Sequence, residues 1–288
     1  MSRALRTLFS LVLLFAAGLV VPPDCEALDV LHLSFDQTIV LGSPGVVFDD
    51  HDVAIDAPSS PLAIEDLGSL PWAADVTAFA VDGRDALFSL DLTSELDGLV
   101  VRRGDVVRYD GLDYEIEFDG MANGLPAGAS IDAIATSEAG LLLSFDTTVS
   151  LPGGVVAVSH DLVLFDRGVY SLALDGSAVG IGHEYDIDAA HHRGPDSFLV
   201  SFDTGGAIGG FVFEDDDLLE LRRGAWSLYH DASAGEPGGR GSDLDAVHVP
   251  EASYLTGLAA SLAWTGLVLG RRPFRGDLDS SPARRGVP

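Results

Sequence analysis

The triplet Ser34-Phe35-Asp36 returns as Ser89-Leu90-Asp91, Ser144-Phe145-Asp146 and Ser201-Phe202-Asp203, at spacings of 55, 55 and 57 residues. Four copies at one period mark a repeat protein, in which each unit buries its apolar surface against its neighbours. Two more elements keep the same phase. Asp52-Val53-Ala54, Asp105-Val106-Val107, Asp161-Leu162-Val163 and Asp217-Leu218-Leu219 follow the serine by 16 to 18 residues. DVTAF at Asp75, SIDAI at Ser130 and DIDAA at Asp186 each precede the next triplet, and DLDAV at Asp243 is left without one.

Around the serine, positions −3, −1 and +1 are apolar in every copy: Leu31, Leu33, Phe35; Ala86, Phe88, Leu90; Leu141, Leu143, Phe145; Phe198, Val200, Phe202. Period two means a strand with one core face. The other face offers a small serine and an aspartate, which suits close approach by a neighbouring sheet. Each unit holds four such runs, in the third IDAIAT, LLLSFDTT, DLVLFD and YSLALDG, separated by loops rich in Gly, Pro, Asp and Ser. The body lacks an amphipathic helix of useful length.

Four strands per period is the arithmetic of a propeller blade, and four blades make the smallest such ring. The expected fold is therefore all-β, a four-bladed β-propeller over 28–249. The first repeat starts at its second strand, VLHLSFD, and the last ends on the orphan first strand DLDAVHV. Pairing these two closes the ring without a free inner edge, with blade one built from DLDAVHV, VLHLSFD, DVAID and PLAIE. A β-sandwich or an open array of β-repeats is the competing expectation.

At Asp132-Ala133, Asp188-Ala189-Ala190 and Asp245-Ala246 the chain resembles the four-bladed hemopexin-like domain, whose blades open with an Asp-Ala motif beside the central channel; Thr77-Ala78 departs from it. The resemblance implies a domain for binding rather than catalysis, with ions in the channel. The disulfide linking blades in that family has no counterpart here, since Cys25 is the only cysteine.

Both ends read as addresses. Residues 1–27 place Arg3 and Arg6 before an apolar stretch, Pro22-Pro23, and Cys25-Glu26-Ala27. That is the order of a signal peptide, with signal peptidase cutting after Ala27. A retained anchor is the alternative. Residues 250–288 open with Pro250-Glu251, continue with an uncharged run at 254–270 and then Arg271, Arg272 and Arg275. A helix over that run rises about 1.5 Å per residue, barely a bilayer span, and the arginines would hold its end in the cytoplasm. The segment resembles the PEP-CTERM sorting signal of Gram-negative bacteria, although Ala252 stands where that motif has its second proline. The resemblance implies an exosortase as partner, a membrane helix before processing, and delivery to the cell envelope, outer surface or matrix.

The chain carries a formal charge of −29 with 45 Asp plus Glu. Its body keeps nine arginines against 40 acids, about −31. Such a surface repels phosphate backbones and anionic lipid, which excludes nucleic-acid partners, and it attracts cations.

The chemical candidates are few. His191-His192, with His183 and Glu184, could ligate a transition metal, yet neighbours on a strand face opposite ways, and a solvated loop pair is the plainer reading. Asp215-Asp216-Asp217 could bind Ca²⁺ but lacks the glycine and distal glutamate of an EF-hand loop, and strand-end capping is its ordinary role. Carboxylate pairs for glycoside hydrolysis occur everywhere in so acidic a chain and carry no signal. The triplet serines lack a nucleophile-elbow context, and four equivalents point to packing. In a propeller the first strands line the axis, so Asp132, Asp188, Asp245 and Thr77 should surround it, with Asp75, Asp186 and Asp243 two residues earlier. Those carboxylates must either cap backbone donors or share a hard cation, Ca²⁺ or Mg²⁺. No catalytic set stands out. The expectation is a non-enzymatic binding or structural protein with a protein or glycan ligand, against a divalent-cation-dependent adhesion module and an extracellular hydrolase.

Overall fold

The computed structural model describes residues 30–41, 45–57, 60–231 and 242–250. The expected signal segment with its cleavage point at Ala27, residues 232–241, and the expected sorting residues Glu251, Arg271 and Arg272 lie outside them. Among the described residues, no helix is long and apolar enough to cross a membrane.

Four four-stranded antiparallel sheets form the ring. From the axis outward, blade 1 is Ala246–His248, Leu31–Ser34, Ala54–Asp56 and Ala63–Ile64. Blade 2 is Val76–Asp82, Asp85–Leu90, Val106–Tyr109 and Tyr114–Phe118. Blade 3 is Ile131–Ser137, Gly140–Phe145, Leu162–Asp166 and Val169–Leu174. Blade 4 is Ile187–Gly194, Ser197–Phe202, Asp217–Arg222 and Ala225–Asp231. The orphan strand closes the ring as expected, with His32 opposite His248, Leu33 opposite Val247 and Ser34 opposite Ala246.

A feature beyond the four expected strands recurs between the second and third. Ile39–Leu41 with Val46–Phe48, Ser94–Leu96 with Leu99–Val101, Val149–Ser150 with Val156–Ala157, and Gly206–Ile208 with Phe211–Phe213 each form a small hairpin.

The core is divided by interface. One apolar cluster joins blades 2 and 3 around Phe118 and Phe145; others join 3 to 4 around Phe202, 4 to 1 around Phe48, and 1 to 2 around Phe88. The second strand of each blade is thus buried on both faces, and a large side chain so buried contributes about 1.5–3 kcal/mol. On the face opposite Phe35, Leu90, Phe145 and Phe202 the triplet serine, fully buried in every blade, lets the next sheet approach. Its Oγ donates to a backbone carbonyl at the entry to the third strand: Ser34 to Asp52 at 3.1 Å, Ser89 to Asp105 at 2.8 Å, Ser144 to Asp161 at 3.1 Å and Ser201 to Asp217 at 2.9 Å. Those same aspartates close the preceding turn. Oδ2 of Asp52, Asp105, Asp161 and Asp217 accepts the N–H three residues back, from Asp49, Arg102, Val158 and Glu214. In blade 3, Oδ1 of Asp161 also accepts the N–H of Gly176, where a Cβ would collide with the His160 carbonyl.

Strand direction sorts the connections onto two sides. Innermost strands start, and second strands end, on the side that also carries the four hairpins and the connections from each fourth strand to the next blade. On the opposite side lie the turns joining first to second strands, and there the chain enters blade 1 at Val30 and leaves it at Val249.

Candidate functional site

The start of each innermost strand is shaped by one repeated distortion. Val76 pairs with Leu90 and Ala78 with Ser89, so Thr77 has no partner; Asp132 and Asp188 are extra in the same way. Blade 1 shows the same count: Ala246 pairs with Ser34 while Asp243 bonds Asp36, leaving one residue too many on the strand that carries Asp245. A β-bulge re-aims the side chains around it, and such bulges gather at functional rims. Below the bulge, the triplet aspartate and the first residue of the motif exchange bonds. Oδ1 of Asp36, Asp91, Asp146 and Asp203 accepts the N–H of Asp243, Asp75, Ser130 and Asp186 at 2.8–3.0 Å.

Backbone capping therefore falls to the triplet aspartates and not to the bulge aspartates. The structure leaves Asp132, Asp188 and Asp245 part-buried at one channel mouth, each within electrostatic reach of other carboxylates. Burial, and then the neighbouring Asp243, Asp132, Asp203 and Asp245, push Asp188 up to about 10. Burial with Asp75 and Asp243 raises Asp245 to about 9, and burial with Asp186 and Asp146 raises Asp132 to about 8, against the pull of Arg103. The outer members follow: burial first, then nearby acids, lifts Asp75 and Asp243 to about 7 and Asp186 to about 6. One carboxylate oxygen each of Asp75 and Asp186 is buried without a hydrogen-bond partner. The fourth bulge residue, Thr77, joins blades instead, its Oγ1 donating to the Ile131 carbonyl at 2.9 Å.

Among the described residues, no three His, Cys, Asp or Glu side chains converge closely enough to hold a metal ion. The mouth is a cluster of carboxyl groups of raised proton affinity, able to hold protons at neutral pH or to exchange them for cations. Beside it, a cleft of about 180 Å³ between blades 2 and 3 is lined by Arg102, Arg103, Met121 and Leu125.

The histidine pair is not a solvated loop. His191 and His192 both lie in strand Ile187–Gly194, with His191 buried and His192 turned to Phe198. His191 meets His248 edge-on at 5.0 Å between ring centres, and His248 lies 5.7 Å from His32, which stacks on Phe79. Nδ1 of His248 accepts the Val81 N–H of blade 2 at 3.3 Å, and Nδ1 of His191 accepts the Val249 N–H of blade 1 at 3.4 Å. Both are neutral acceptors that tie blade 1 to its neighbours. Burial lowers His191 to about 3 and His248 to about 2, adjacent cations and histidines adding to the effect. His183 and Glu184 are exposed and separate from this cluster. Of the aspartate run, Asp217 is a cap, whereas Asp216 is buried with neither carboxylate oxygen bonded.

No family model matches the chain, and no curated protein matches it. Solved structures do resemble it in part. One titled YCF48 bound to D1 peptide shares 8% identity at a TM-score of 0.31, covering 73% of this chain and 83% of the other. The extracellular domain of the one component system BT4673 from B. thetaiotaomicron shares 10% identity at a TM-score of 0.31, covering 70% of this chain. This match spans 32% of that longer chain.

Proposed function

We propose that the protein is an exported, surface- or matrix-associated binding protein without enzymatic activity, which offers the acid-lined side of its propeller to a protein or glycan partner. The observation that carries this reading is the gathering of Asp132, Asp188 and Asp245 at one mouth of the ring, on the side away from the points where the chain enters and leaves blade 1. The triplet serines add support, because their hydroxyls are buried and already donating to backbone carbonyls. On this reading signal peptidase removes 1–27, and an exosortase acts at Pro250-Glu251 in the envelope of a Gram-negative bacterium. Ca²⁺ or Mg²⁺ would gather at Asp132, Asp188 and Asp245 as a diffuse countercharge, since the separated carboxylates suit territorial attraction better than a fixed coordination shell.

The test is a precursor carrying Glu95→Cys on its hairpin, expressed in a host with an exosortase. Intact mass should begin at Leu28, and a membrane-impermeant maleimide should label whole cells. A cytoplasmic product beginning at Met1 would contradict the proposal.

A further inference from the structure

We infer that the acidic side of the ring docks a cationic polypeptide in which Lys or Arg alternates with apolar side chains. This deepens the binding reading above and rests on it. The four hairpins carry the observation. In each, the inward residues pack on the blade, while the solvent-facing residue in the middle of the second strand, or its equivalent, is a valine: Val47, Val100, Val156 and Val212, exposed by 55, 50, 58 and 80%. Alternation calls for a polar residue there, and threonine would satisfy strand preference equally well. Their cross-strand partners are unalike, being Val40, Glu95, Ser150 and Ala207, so no shared local pairing accounts for the four valines.

The same side carries Trp72, 86% exposed, and Met121, 60% exposed, on connections between blades. Exposed apolar residues scattered singly are ordinary, but the same residue exposed at the same place in four hairpins is not, and tryptophan is prominent among residues that anchor partners. The centre selects the sign of the partner. Six aspartates with raised proton affinity are relieved by incoming ammonium or guanidinium groups, whereas phosphate or carboxylate polymers are repelled. A chain alternating charge with apolar side chains meets both requirements, sending cations to the mouth and apolar groups to the rim.

The full chain in mild detergent is titrated against two labelled ten-residue peptides of equal charge, one alternating Lys and Val and the other alternating Lys and Ser. The Lys–Val peptide should bind about tenfold or more tightly, the yield of burying even one or two apolar side chains. That advantage should vanish in the Val47→Thr, Val100→Thr, Val156→Thr, Val212→Thr variant, whose β-branched replacements keep the melting temperature. In the Asp132→Asn, Asp188→Asn, Asp245→Asn variant both peptides should weaken. Equal affinity for the two peptides, or an advantage that survives the threonine changes, overturns the inference. A glycan-array ligand with neither peptide bound overturns it while sparing the binding reading; failure of peptides, glycans and cations alike overturns both.

Discussion

A single hydroxyl shows how closely this fold is determined at the residue scale. Ser144 Oγ lies 3.0 Å from the Ser159 carbonyl and 3.1 Å from that of Asp161, and the side chain is fully buried. Ser144→Ala takes the hydroxyl donor from the Asp161 carbonyl, while the Ser159 carbonyl keeps the Ile187 N–H, and should lower stability by about 1 kcal/mol, whereas Ser144→Val adds crowding and should lower it further. Urea unfolding of the two variants checks the order. The serine's packing role was legible because four copies share it. The aspartates were harder to assign. Capping looked open to Asp132, Asp188 and Asp245, but the bulge lifts them off the ladder, and Asp36, Asp91, Asp146 and Asp203 take the donors. One extra residue in a strand leaves no mark in an apolar pattern that short. A different substitution, Asp188→Asn, puts a neutral group of the same shape in place of a carboxyl that must take up a proton on folding. It should raise the melting temperature at pH 8, where the unfolded carboxyl is ionised, and leave it nearly unchanged at pH 4, where that proton uptake costs almost nothing.

Among the elements, closure was legible and the hairpins were not. An orphan first strand at one end and a missing one at the other have only one economical pairing, and the register joins Leu33 to Val247. The hairpin strands are two or three residues long, too short for alternation to distinguish them from loop, as Val149–Ser150 shows. His191-His192 misled for a related reason: followed by Arg-Gly-Pro-Asp it looks like loop, yet the strand runs through to Gly194. Closure carries its own prediction. Ending the chain at residue 241 removes the innermost strand of blade 1 and both histidine ties, since His248 and the Val249 N–H go together. That chain should aggregate or unfold, while one ending at 250 should melt cooperatively, as compared by calorimetry. Equal melting would place the closing strand elsewhere.

The whole molecule holds opposed charges of proton affinity, and this makes its stability a function of pH. Asp186, Asp75, Asp243, Asp132, Asp245 and Asp188 have folded values between about 6 and about 10, raised from 3.8. Folding therefore binds protons above pH 4, and the stability these groups contribute at low pH is lost progressively as pH rises through each folded value. His191 and His248 work the other way. Their folded values of about 3 and about 2 lie below 6.5, so their contribution is intact above 6.5 and is lost as pH falls toward the folded values. Between pH 4 and 6.5 the six aspartates outweigh the two histidines. The most direct test of the acid-lined mouth is the melting temperature of the full chain from pH 3 to 9, in chelator and in millimolar Ca²⁺. In chelator it should peak near pH 4 to 5 and decline steadily toward pH 9, with Ca²⁺ restoring stability at pH 8 and doing nothing at pH 4.5. A melting temperature that is level from pH 5 to 9, indifferent to Ca²⁺, would contradict the account.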